Sequence, residues 1–127
     1  MKILLASPER DLLECCKELF EADLGQTVTA FDGAQVLSLI STEGFDIAVT
    51  DSDLPRVEYG KLITEIKNKK IPVIVLTNGP EKARGSGNGP SADAYLPYPF
   101  NYDQIKQVIT DTLDKAKKGP GTVGENE

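Results

Sequence analysis

The sequence predicts an α/β fold: a doubly wound, five-stranded parallel sheet with helices on both faces. Three observations lead there. Five short apolar runs alternate with segments of helical periodicity, the pattern of strands joined by crossover helices. The length, 127 residues, is enough for one core and one domain. The third run drives an apolar strand into a carboxylate, Asp51, followed by the strand-breaking turn Ser52-Asp53-Leu54-Pro55. In open α/β sheets the carboxyl end of a buried strand is where ligands bind.

The elements follow in order. The predicted strands are residues 3–6, 27–31, 47–50, 73–76 and 94–96. After the first, Ser7-Pro8-Glu9 reads as a helix start, with Ser7 as N-cap and Pro8 at the first helical position. Leu12, Cys16, Leu19 and Phe20 then recur at helical spacing. Asp32-Gly33 turns into a second helix whose inner face carries Val36, Leu37 and Ile40. A third carries Leu62, Ile63 and Ile66, and Lys67, Lys69 and Lys70 place positive charge at its C-terminal end. The last carries Ile105, Val108, Ile109 and Leu113. Residues 78–91 break the alternation: four glycines and two prolines leave almost nothing apolar to pack on a sheet, so a loop is expected in place of a full fourth crossover helix. Residues 1–118 are expected to form the domain and 119–127 a disordered tail.

Composition narrows the function. Hydrophobic residues make up 39% of the chain, and no run approaches bilayer-spanning length. The opening strand is too short for the core of a signal peptide, so a cytoplasmic protein without a membrane partner is expected. A net charge of −6, with lysines grouped only near 67–70 and 115–118, argues against direct nucleic-acid binding. The absence of histidine removes imidazole metal ligands, imidazole general bases and phosphohistidine chemistry. Cys15 and Cys16 are adjacent on a predicted helix and point apart, so they are expected as reduced thiols, at least one of them in the core.

Taken in this order and at these separations, four segments resemble the receiver domain of bacterial two-component response regulators: residues 2–6, 45–55 with Asp51, 71–77, and 92–100. The resemblance covers about residues 1–116 and implies a flavodoxin-like sheet of five parallel strands. It also implies a site. In that family an aspartate ending the third strand accepts a phosphoryl group from a sensor kinase, and Asp51 matches it. Thr77 matches the hydroxyl that binds the phosphoryl group, and Tyr95 the aromatic residue that switches with it. Three positions depart from the pattern. Ser7 and Pro8 stand where an acidic pair holds Mg²⁺, with Glu9 one step beyond, and Tyr98 stands where a lysine pairs with the phosphoryl group. Residues 56–60 also run one residue longer than the family pattern, leaving Glu58 without a counterpart.

These departures have a physical consequence. Mg²⁺ wants oxygen ligands in an octahedral array and one or two carboxylates. Pro8 offers no side-chain ligand and Ser7 a neutral hydroxyl, so any site is weak, with Asp51, Asp53 and Glu9 its candidate ligands. Phosphoryl transfer depends on charge neutralisation, so loss of both metal and lysine slows it by orders of magnitude.

The leading expectation is therefore an atypical, non-enzymatic pseudo-receiver in phosphorelay signalling. It would work by contact with a sensor kinase or downstream signalling protein, with no cofactor and Asp51 only nominally the phosphoacceptor. One alternative is a working phosphoswitch in which Asp53 or Glu9 completes a Mg²⁺ site. Another is a small flavodoxin-like ligand-binding module or enzyme, against which stands the lack of glycines after the first strand. Each residue also has a plainer use: Thr77 as a strand end, Tyr95 as a half-buried aromatic, and Tyr98 as a neutral hydrogen-bond donor lying over Asp51.

Overall fold

The computed structural model describes residues 1–77 and 92–118, with the side chains of 117 and 118 excepted. The five strands are β1 (Lys2–Ala6), β2 (Gln26–Ala30), β3 (Ile47–Asp51), β4 (Val73–Thr77) and β5 (Ala94–Pro97). The helices are α1 (Arg10–Asp23), α2 (Gly33–Thr42), α3 (Tyr59–Asn68) and, last in the chain, α4 (Tyr102–Lys118). The strands form one parallel sheet in the order β2-β1-β3-β4-β5, the doubly wound arrangement expected. The Gly-rich segment 78–91 and the tail 119–127 lie outside the described residues.

Central strands are buried on both faces, and successive side chains enter two different cores. In β4, Val73 and Val75 join Val36, Ile40, Leu62, Ile63 and Ile66 beneath α2 and α3. Ile74 and Leu76 join Leu13, Cys16, Phe20, Ile105 and Ile109 beneath α1 and α4. No described helix is long and apolar enough to cross a membrane.

Helix ends mostly follow their local chemistry. Asp32 caps α2 by accepting the Gln35 N–H at 2.8 Å. The start of α1 corrects the sequence reading: Ser7 is not its N-cap. The helix begins at Arg10 with Glu9 as N-cap, and Ser7 Oγ accepts the Glu9 N–H at 3.1 Å. Ser7 is still part of the sheet margin, its own N–H donating to the Ala30 carbonyl at 3.0 Å, so the turn is spent before the helix opens. On α1 Leu13, Cys16 and Phe20 are buried, whereas Leu12, expected on the inner face, is half-buried and Leu19 is exposed. Phe31 lies past the end of β2 and is exposed, with Arg10 over its ring.

Candidate functional site

Asp51 ends β3, where the apolar ladder carries it to the rim with only 5% of its surface exposed. A carboxylate desolvated to this degree needs hydrogen-bond donors. Oδ1 accepts the Asp53 N–H at 2.9 Å, an Asx-type turn that the Ser52-Asp53 sequence favours. Oδ2 accepts the Tyr98 hydroxyl at 2.9 Å. The strand continues one step further as Ser52 N–H donates to the Leu76 carbonyl at 2.9 Å, which fixes the turn against β4.

Tyr98 reaches Asp51 because the β4–β5 pairing runs past β5: its N–H donates to the Thr77 carbonyl at 2.7 Å. Its ring packs beside Phe100, centroids 5.2 Å apart, and the Tyr98–Pro99 peptide is cis. β3 and β5 are separated by β4, roughly 10 Å at ordinary strand spacing, a gap that a phenol and a carboxylate bridge together. Burial first, and then the Asp51 charge and hydrogen bond, push the Tyr98 phenol above the usual tyrosine range, while a hydrogen bond from Ser7 pulls the other way. The phenol is held protonated as a donor.

Together Pro8, Glu9, Asp51, Asp53 and Tyr98 line an open cleft of about 360 Å³. The sequence-predicted residues Pro8, Glu9, Asp51, Asp53 and Tyr98 thus meet at one place, while Ser7 is fully buried and does not line the cleft. The donor set fits Mg²⁺ poorly. Both Asp51 oxygens already accept hydrogen bonds, Ser7 Oγ accepts one from Glu9, and Pro8 has no donor atom. Among the described residues no group of three carboxylates or thiols is placed to hold a metal ion.

Neither Thr77 nor Tyr95 lines this cleft. Thr77 is fully buried, and its hydroxyl, like that of Ser52, has no hydrogen-bond partner among the described residues. Tyr95 turns toward the α2–α3 core, and its hydroxyl accepts the Ala92 N–H at 3.1 Å. Tyr59, at the first position of α3, packs on the same core, and burial pushes its phenol above the ordinary range with Tyr95 adding to the effect. Tyr59 is not among the residues to which the sequence points. Its signal was an aromatic residue opening a helix, within the segment 56–60 read only as extra length. Glu58, which lacked a counterpart, is the N-cap of α3 without a side-chain capping bond.

The loop after Asp51 is held by α2. Gly33 N–H donates to the Pro55 carbonyl at 2.8 Å, and Val57 lies where a Gly33 Cβ would stand, so only glycine permits this approach. Arg56 takes a left-handed conformation (φ 68°) beside Asp32, 3.9 Å away. The buried thiol of Cys16 is pushed up to about 11 by burial, the opposite of an activated nucleophile, while Cys15 is exposed.

A carboxylate ending the third strand of a doubly wound sheet, with a hydroxyl ending the fourth and an aromatic on the fifth, defines a signalling receiver. Residues 3–110 match the response regulator receiver domain model, and the chain belongs to that family. It is 35% identical over 117 residues to the transcriptional regulatory protein CpxR of Klebsiella pneumoniae, covering 91% of this chain and 50% of the relative. It is 32% identical to the response regulator GtcR of Aneurinibacillus migulanus, covering 78% of this chain and 42% of the relative. The chain spans about half the length of these curated relatives. Among solved structures, a CheY-like receiver domain from Methanospirillum hungatei matches with a TM-score of 0.81 at 26% identity, covering 92% of this chain and 96% of that one. The receiver domain of the Francisella response regulator 1452 matches with a TM-score of 0.76 at 29% identity, covering 89% and 96%.

Proposed function

We propose that this receiver domain is atypical: it signals by protein–protein contact in the cytoplasm, without enzymatic activity, and Mg²⁺-dependent phosphorylation of Asp51 is weak or absent. Its partner is a sensor kinase or a downstream signalling protein, and it contacts neither nucleic acid nor membrane directly. Residues 1–118 are the signalling unit. The observation that carries this reading is the Tyr98 hydroxyl on Asp51 Oδ2, at the place where the family resemblance implies a lysine.

The physics supports it. A phosphoryl group on Asp51 would bring up to about two negative charges into a cleft that already holds Asp53 and Glu9. A neutral phenol supplies a hydrogen bond and no positive charge, so the product is not neutralised. The donor set also gives Mg²⁺ no second committed carboxylate. Partner recognition then rests on shape, through α4, β5 and the loop 78–91, the last of which lies outside the described residues. With Thr77 and Tyr95 retained, a bound partner has the residues with which to bias the aromatic position.

A second reading is favoured by one observation: Glu9 and Asp53 share the cleft with Asp51. A shift of either toward Asp51 would complete a metal site and leave a working phosphoswitch. The two readings separate on incubation with Mg²⁺ and a small-molecule phosphodonor, followed by intact mass measurement. No adduct is expected on the wild type. An adduct that disappears in Asp51→Asn would overturn the proposal.

A further inference from the structure

We propose that the groove between the C-terminal ends of α3 and α4 is a docking site for an acidic peptide segment of a partner protein. The groove has a volume of about 290 Å³ and is lined by Lys67, Lys70, Ile71, Pro72, Asp93 and Lys115, among others. It lies at the amino ends of β4 and β5, and Asp51 and Thr77 lie at the carboxyl ends, roughly 15 Å away along a five-residue strand. It is a different surface from the cleft around Asp51.

Charge is the first argument. The chain carries a net charge of −6, yet here three lysines surround one aspartate. That aspartate is committed to the fold: Asp93 Oδ2 accepts the Val73 N–H at 2.8 Å, and Oδ1 pairs with Lys67 at 3.5 Å. Lys70 and Lys115 remain at the rim to meet incoming carboxylates. The local positive potential within an otherwise acidic surface steers an anion to this point.

Lys70 is the second argument. It stands in the left-handed conformation (φ 62°) just past α3, where its N–H donates to the Lys67 carbonyl at 2.9 Å. Glycine or asparagine suits that position, and a lysine there is strained. The turn sets this side chain at the groove in spite of that strain. The floor is the third argument. Buried Ile71, with Pro72 and Ala116, gives an apolar base between the charges. An acidic peptide with interspersed apolar side chains uses both features. A phosphodiester strand gains nothing from an apolar floor, and the net charge of the whole chain repels a long polyanion.

The test uses the full chain, isotopically labelled, titrated with a synthetic hexapeptide of alternating glutamate and leucine and followed by amide shifts. Shifts are expected at Ile71, Asp93 and Ala116, weakening as salt rises. The double variant Lys70→Asn with Lys115→Gln removes both rim charges, and asparagine keeps the left-handed turn. A loss of affinity of about ten-fold is expected, with the thermal midpoint no lower than that of the wild type. Lys115→Gln alone, which leaves the turn at Lys70 untouched, should show part of the loss should the double variant fold poorly. The proposal is overturned by shifts centred elsewhere, by variants that bind as well as wild type, or by equal binding of the glutamine version of the peptide. It is equally overturned if a short DNA duplex binds the groove as tightly as the peptide.

Discussion

Replacing Tyr98 by Phe removes one oxygen from the site and leaves the ring where it packs against Phe100. The lost bond is 2.9 Å long, and its acceptor is a carboxylate with 5% of its surface exposed. Hydrogen bonds to charged groups contribute about 1.5–3 kcal/mol net, and an acceptor left unsatisfied adds desolvation cost. Oδ1 keeps the Asp53 N–H, so the loss is confined to one oxygen. We expect Tyr98→Phe to lower stability by about 2 kcal/mol and the thermal midpoint by about 10 °C. Urea unfolding followed by far-UV circular dichroism measures this. Asp51→Asn keeps an acceptor without its charge, so the double-mutant cycle should give a coupling of about 1 kcal/mol. The pH dependence has a defined sign. The folded state holds the Tyr98 proton more tightly than the unfolded chain, so the native protein binds more protons above about pH 10 and stability falls as pH rises further. Tyr98→Phe should flatten that decline. A variant within about 0.5 kcal/mol of wild type, or a cycle with no coupling, would mean that water in the open cleft replaces the phenol, and the reasoning would fail.

Rebuilding the absent charges should restore chemistry: Ser7→Asp, Pro8→Asp and Tyr98→Lys together are expected to yield a Mg²⁺-dependent mass adduct that Asp51→Asn removes. The same triple variant should be less stable without Mg²⁺, because position 7 is buried, and its melting midpoint should rise with added Mg²⁺. Gly33→Ala drives a methyl group into Val57 and should cost about 1–3 kcal/mol in denaturant titration; Val57→Ala in the same chain should recover little of that loss, because the Val57 Cβ itself stands against the added methyl. Iodoacetamide at neutral pH should alkylate exposed Cys15 and spare Cys16, whose thiol is pushed up to about 11, so peptide mapping should find one modified cysteine.

Much of this protein was legible from residue pattern. Alternating apolar runs place each strand because a parallel sheet buried on both faces admits little else, and the runs at 47–50 and 73–76 fall within a residue of β3 and β4. Asp51, Thr77 and Tyr95 could be placed because each closes or occupies a strand whose neighbours fix its register. Local signals were weaker where two structures compete for one residue. Ser7 has the chemistry of a helix cap, but its N–H extends the sheet, and the helix waits until Arg10.

Tertiary structure alone decided the rest. Sequence offered Tyr98 both as a replacement for a lysine and as a neutral donor lying over Asp51, and only the folded chain sets its hydroxyl 2.9 Å from Oδ2 of that carboxylate, 47 positions away. That contact exists because β4 brings β3 and β5 within reach of one another, and because the chain pairs one step past β5. The basic groove has the same origin: Lys67 and Lys70 close one helix, Lys115 lies near the end of another, and only the winding of the sheet sets them around one floor. Hydrophobic periodicity is written locally, one turn or one strand at a time, whereas a site is a meeting of chain segments whose distance is set by the sheet.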